Sequence, residues 1–237
     1  MLKDEFERHV FEARIECCYL LHVPESIDDN TILVAALHGY GSNAEDMVRL
    51  TAPAMGRRHI VAAIQAPNQH YSIPPGAAAA REAYNWGIRQ HWRAAIDLHH
   101  QMVRQVLSLL QARFGLGPHR TVLAGFSQAV GLNYRFAGTH PGWVRGVIGI
   151  CGGVPRDWEE AEYKQVDAAI LHIARDEDEF YPLTDVQRFA DRLRVHATDV
   201  EFHLLPGAHR FPSHAGAVIQ PWLKRVFPGR SVADVAS

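Results

Sequence analysis

Apolar and polar residues alternate along the start of the chain. Phe11, Ala13, Ile15, Cys17, Tyr19, Leu21 and Val23 share one parity, the period of a strand with one buried face. The spacing predicts a strand over 10–23, of the kind found at an antiparallel edge. After a turn cluster at 24–30, the run 31–37 is continuously apolar, as in a strand covered on both faces. It ends in His38-Gly39-Tyr40-Gly41, and Ser42 with Glu45 three residues on fits a capping box for a helix reaching about Met55. Further strands are expected at 59–65, 120–125, 144–151, 168–174 and 199–205, with helices at 93–114, 128–138, 183–196 and 213–226. That alternation predicts an α/β fold, a mostly parallel central sheet with helices on both faces. The stretch 67–92 carries no such pattern, and an irregular segment of that length in a compact domain is more often functional than idle.

Composition narrows the class. A chain of 237 residues suits one α/β domain spanning 1–237. A hydrophobic share of 47% and a charged share of 21% exclude a disordered chain. The net charge of -2 argues against a nucleic-acid partner. Cys17 and Cys18 are adjacent and Cys151 makes the count odd, which fits a reducing, cytoplasmic setting better than a disulfide framework. No secretory segment is visible at the N-terminus. The longest stretch without Asp, Glu, Lys or Arg, 59–80, contains prolines and polar residues and is no membrane span.

The chemistry concentrates at strand ends. The strand expected at 120–125 runs into Gly125-Phe126-Ser127-Gln128-Ala129 and then a helix, the strand–turn–helix context of a nucleophile elbow, where positions two before and two after the serine must be small. A serine hydroxyl needs a histidine base, and the base needs a carboxylate to fix its tautomer. In that fold the chain order is Ser, acid, His. The strand at 168–174 is followed by Arg175-Asp176-Glu177-Asp178-Glu179, and the strand at 199–205 by Pro206-Gly207-Ala208-His209. Asp178 is the preferred acid with Asp176 as runner-up. His209 is preferred over His203, within the strand, and His214, in the next helix. Two backbone N–H groups should bind the oxyanion: that of Gln128, after the nucleophile, and that of Tyr40, in the glycine-containing loop. His38 either orients that loop or stands as a catalytic alternative.

These residues resemble the phospholipase/carboxylesterase family of α/β-hydrolases, which includes the acyl-protein thioesterases. The resemblance rests on Leu37-His38-Gly39-Tyr40-Gly41-Ser42-Asn43, Gly125-Phe126-Ser127-Gln128, Asp176-Glu177-Asp178 ahead of Pro182, and Gly207-Ala208-His209. It implies a triad of Ser127, Asp178 and His209, oxyanion donors at Tyr40 and Gln128, and hydrolysis of carboxylic esters or thioesters without a cofactor. Homodimers occur in that family. Ala129-Val130 replace the family's usual Gly-Gly, Glu179 stands where Pro is common, and Tyr181 where a small aliphatic is common. Those departures bear on the acyl pocket.

Two other readings compete. Gly39-x-Gly41-x-x-Ala44 fits a dinucleotide-binding turn, yet no Asp or Glu lies between Asp46 and Glu82 to hold a ribose hydroxyl. A non-catalytic binding module on a hydrolase scaffold would require a broken triad. The 15 His lack H-E-x-x-H spacing and point to no metal; most are expected singly on loops and surfaces, with His99 and His100 on different sides of their helix. Trp86 is expected either to pack the 67–92 loop or to wall the substrate pocket, and Cys151 to end a strand as a small hydrophobe. Only 16 residues separate the strands at 144–151 and 168–174, where related hydrolases often insert a lid domain. A lidless enzyme with its specificity in 67–92 is therefore expected, acting on a small-molecule or acylated substrate.

Overall fold

The computed structural model describes residues 7, 9–73, 76, 78–160 and 162–228. Seven strands form one sheet: β1 (Tyr19–His22), β2 (Leu33–Leu37), β3 (Ile60–Ile64), β6 (Thr121–Phe126), β7 (Gly146–Ile150), β8 (Ala169–Arg175) and β9 (Val200–Leu205). Their order is β1-β3-β2-β6-β7-β8-β9. All neighbours run parallel except β1, which pairs antiparallel to β3 at the edge. Strands β2, β3 and β7 are buried throughout, because helices cover both sides.

One face packs against α1 (Ala44–Ala54) and α6 (Gly216–Val226). The other packs against α2 (Trp92–Phe114), α3 (Gln128–Thr139), α4 (Leu183–Val186) and α5 (Phe189–Arg194). Among the described residues no helix or strand lies between β7 and β8, so no separate lid domain is present there.

Four expectations need correction. The alternating stretch 10–23 is strand only from Tyr19; Phe11 is 86% exposed. Its partner β3 spans five residues, and the chain beyond Gln65, whose N–H still reaches the Cys18 carbonyl at 3.0 Å, turns away. With no neighbour to pair with, the period does not make a strand. The α1 cap is Asn43, not Ser42: its side-chain oxygen accepts from the Asp46 N–H at 2.8 Å, while the Ser42 carbonyl is taken by the Tyr84 N–H. The helix expected at 183–196 is two short helices. The irregular stretch 67–92 contains an antiparallel hairpin, β4 (Asn68–Ser72) and β5 (Arg81–Asn85).

Most histidines other than His99 and His100 are exposed or half-buried, as expected, but five lie in the core. The five are His38, His59, His99, His100 and His172. The His99 and His100 rings lie 5.5 Å apart in the core, with His140 5.0 Å from His100.

Candidate active site

Three strand ends meet above the C-terminal edge of the sheet, where open parallel sheets bind ligands. Ser127 sits between β6 and α3 with φ 54° and ψ -114°, a conformation a β-carbon makes costly. The turn is tight because Gly125 permits it: a β-carbon there would lie 2.6 Å from the Asn133 amide nitrogen. Ser127 N–H donates to the Ile150 carbonyl at 2.9 Å, which ties the elbow to β7.

The Ser127 hydroxyl lies 2.8 Å from His209 Nε2, and His209 Nδ1 lies 2.7 Å from Asp178 Oδ2. The Asp178 side chain is 1% exposed, and its Oδ1 accepts from the Phe180 and Tyr181 N–H groups at 2.9 and 3.0 Å. An acceptor-only carboxylate so held requires the proton on Nδ1, leaving Nε2 to accept from the serine. The His209 ring is enclosed by aromatic neighbours, with Phe180 at 4.8 Å edge-on and Phe126 at 5.3 Å.

The runner-up acid has another task. Asp176 Oδ1 accepts the Gly207 N–H at 2.7 Å, and Glu179 accepts the His209 N–H at 2.9 Å. The Glu177 N–H donates to the Gly207 carbonyl. Three of the four acids on this turn, Asp176, Glu177 and Glu179, are exposed, and only Asp178 is buried. The acidic turn is nonetheless stapled along its length to the turn bearing His209. The His209 N–H pushes the Glu179 carboxyl below its usual range.

On the opposite side stands the loop after β2. His38 is buried, and its Nε2 accepts from the Ala66 N–H at 3.1 Å with the Gln65 amide 2.9 Å away. A backbone N–H can only donate, so Nε2 carries no proton, and Nδ1–H donates to the Gly39 carbonyl at 2.8 Å. Burial pushes its pKa down to about 4. Both ring nitrogens are thus committed to orienting the loop, and the catalytic alternative for His38 fails. Gly39 is required by proximity: a β-carbon would lie 3.0 Å from Ser127 Cβ and from Phe126 Cδ1. Among the described residues, neither the Tyr40 N–H nor the Gln128 N–H has an acceptor. The latter opens α3, where helix geometry leaves donors unused.

Trp86 borders a cavity with Asn85, Ile88 and Leu98 whose lining does not include Ser127 or His209. The residue is 1% exposed, and its indole N–H donates to the His38 carbonyl at 2.7 Å. The Gln128 side chain accepts the Trp86 N–H at 3.0 Å and donates to the Gly87 carbonyl at 2.7 Å. The sequence singled out both residues for other reasons and gave no hint of these bonds. Tyr40 is 58% exposed, its ring 5.2 Å from that of His70 on the hairpin. Cys151 is buried beside the elbow, its thiol donating to the Arg210 carbonyl, and burial pushes its pKa up to about 12.

The departures from the family pattern are matched locally. A β-carbon at Gly152 would lie 2.3 Å from Val130 Cβ, and one at Gly153 would lie 2.7 Å from the Tyr181 ring. Glycines thus leave room for both larger side chains. The dinucleotide alternative loses its donors, since the Gly41 and Ser42 N–H groups are bonded to the Tyr84 and Gly39 carbonyls.

The fold is that of an α/β-hydrolase. The chain matches the phospholipase/carboxylesterase family over residues 20–226; it belongs to that family and is a carboxylic ester hydrolase. Solved structures share the fold at low identity. The Mesorhizobium loti carboxylesterase is 20% identical, with 88% of this chain and 95% of that chain covered and a TM-score of 0.70. The Bacillus cereus carboxylesterase is 13% identical, with 89% and 95% covered and a TM-score of 0.69. The Dyadobacter fermentans phospholipase/carboxylesterase is 19% identical, with 90% and 98% covered and a TM-score of 0.66. Among curated proteins no relative matches the chain.

Proposed function

We propose that the chain hydrolyses carboxylic esters or thioesters through an acyl-enzyme on Ser127. Ser127 Oγ attacks the acyl carbonyl as its proton passes to His209 Nε2. The Tyr40 and Gln128 N–H groups receive the oxyanion. The tetrahedral intermediate collapses, the bond to the leaving oxygen or sulfur breaks, and that atom takes the proton from His209. Water then repeats the sequence on the acyl-enzyme, releasing the acid and restoring Ser127. Asp178 keeps the proton on Nδ1 and stabilises the imidazolium that forms in each half.

The observation that carries this reading is the continuous chain Ser127–His209–Asp178, at 2.8 and 2.7 Å, on a strained turn beside two unused backbone donors. No cofactor takes part in it. The chain works as one domain, in the cytoplasm, on a small-molecule or acylated substrate. Among the described residues no helix is long and apolar enough to cross a membrane.

The test is an ester panel of increasing acyl length assayed with the native enzyme and Ser127→Ala, together with mass spectrometry after fluorophosphonate treatment. The expected result is one adduct on Ser127 and loss of hydrolysis on the order of 10⁶-fold in kcat for the variant. Hydrolysis surviving in Ser127→Ala would refute the mechanism.

A further inference from the structure

The stretch 67–92 was expected to set specificity, yet its last strand is tied to both sides of the catalytic corner. On the loop side, the Gly41 N–H donates to the Tyr84 carbonyl at 2.9 Å and the Tyr84 N–H to the Ser42 carbonyl at 3.0 Å. Two residues on, the Trp86 indole reaches the His38 carbonyl at 2.7 Å. These bonds bracket Tyr40 from before and after. On the elbow side, the Gln128 amide closes a two-way clamp on Trp86 N–H and the Gly87 carbonyl, at 3.0 and 2.7 Å. One short segment, 84–87, therefore bonds to both donor-bearing turns, adding to the β2–β6 pairing that ends at Leu37 and Gly125 just before them.

Donors aimed at a developing charge act only if held before the reaction begins. A loop with two glycines and a helix start have no direct hydrogen bond to each other among the described residues. They are coupled through the third segment. The Trp86 ring is wedged between the His38 ring, 5.7 Å away, and the His99 ring, 5.3 Å away, which prevents the indole from swinging out of line.

We infer that Trp86 and the Gln128 side chain are positioning residues, and that the segment 84–87, at and just beyond the end of β5, is a strut helping to hold the Tyr40 and Gln128 N–H groups in register for the oxyanion. This rests on the serine mechanism proposed above. Neither side chain touches the reacting atoms; each acts through the backbone it fixes.

Trp86→Phe keeps a buried ring and removes the indole N–H. Gln128→Ala removes the clamp at a half-buried surface position, where folding is at little risk. Both are assayed for kcat and KM on the ester that the native enzyme cleaves best, with thermal melts alongside and Ser127→Ala in parallel. The expected result is a loss in kcat on the order of 10- to 100-fold in each variant, with KM within about threefold and folding retained. Gln128→Ala at native kcat, or a loss confined to KM, would overturn the inference. If Trp86→Phe melts out, Gln128→Ala alone decides. Activity in Ser127→Ala would instead refute the underlying mechanism, whatever the two variants do.

Discussion

The two halves of the proposed catalytic corner are built from opposite materials. The acid–imidazole half is held by carboxylates: Asp176, Asp178 and Glu179 each accept from, or pair with, the turn or ring they face, and two of the three are exposed. The oxyanion half is held by neutral groups: His38, Trp86 and the Gln128 amide bond mainly to backbone carbonyls and N–H groups, and the first two are buried. Charge-assisted bonds are strong singly but screened where water reaches them, while neutral bonds gain from exclusion of water and cost more when one partner is lost. The charged half should therefore depend on one buried group, and the neutral half on several.

The largest effect tests that dependence within the charged half. Asp178→Asn leaves the contacts nearly isosteric but permits the wrong imidazole tautomer, and kcat should fall by about 10⁴. Asp176→Asn retains an oxygen for the Gly207 N–H and should cost less than about tenfold. Side-by-side kinetics decide it. Equal losses would mean that Asp176 shares the role of orienting His209.

The sequence exposed the charged half well. Ser127, the acidic cluster and His209 all fall on turns directly after strands, so strand prediction alone places them on one edge. The neutral half was largely illegible. Trp86 and Gln128 could be flagged by type, but their bonds run from side chain to backbone across more than 40 residues of sequence, and no local period encodes such a contact. The same gap explains the N-terminal stretch. Alternation at 10–23 states that a strand could form, but pairing requires a neighbour, and the pairing with β3 extends over only four residues, up to Tyr19 opposite Ile64, where β3 ends. The burial of His38, His59 and His172 was hard to read for a related reason: each is covered by elements distant in sequence, and a lone polar residue does not announce that cover.

The buried histidines give the next effect. Burial lowers His38, His59 and His100 to about 4 and His172 to about 3. The folded chain therefore keeps them neutral where the unfolded chain, titrating near 6.5, takes up protons. Their contribution is fully present above about pH 6.5 and is lost as pH falls from there toward about 4. A depression from 6.5 to about 4 is worth roughly 3 kcal/mol per buried group, a large share of a typical domain's stability. Thermal melts at constant ionic strength should drop steeply between pH 6.5 and 4. A flat melting temperature across that window would contradict the neutral state of the buried rings.

A smaller effect probes the contact between the halves. Gly39→Ala places a methyl 3.0 Å from Ser127 Cβ and Phe126 Cδ1, so the loop or the nucleophile must yield by a few tenths of an ångström. The expected loss in kcat is on the order of tenfold, with a melting temperature close to native. An unchanged kcat would mean that the loop can retreat from the serine without moving the Tyr40 donor.

The smallest effect belongs to Glu179, and it is small for a reason that sets the halves apart. Its carboxylate accepts the His209 N–H at 2.9 Å, one residue from the acid that matters most, but water surrounds it. Exposed charge contacts contribute little, so Glu179→Ala should lower kcat by no more than about two- to fivefold, the loss shrinking at high ionic strength as the native bond is screened. Glu179→Gln keeps an acceptor and should fall between the two. A loss from Glu179→Ala as large as that from Gln128→Ala would erase the contrast, because an exposed charged anchor would then matter as much as a sheltered neutral one.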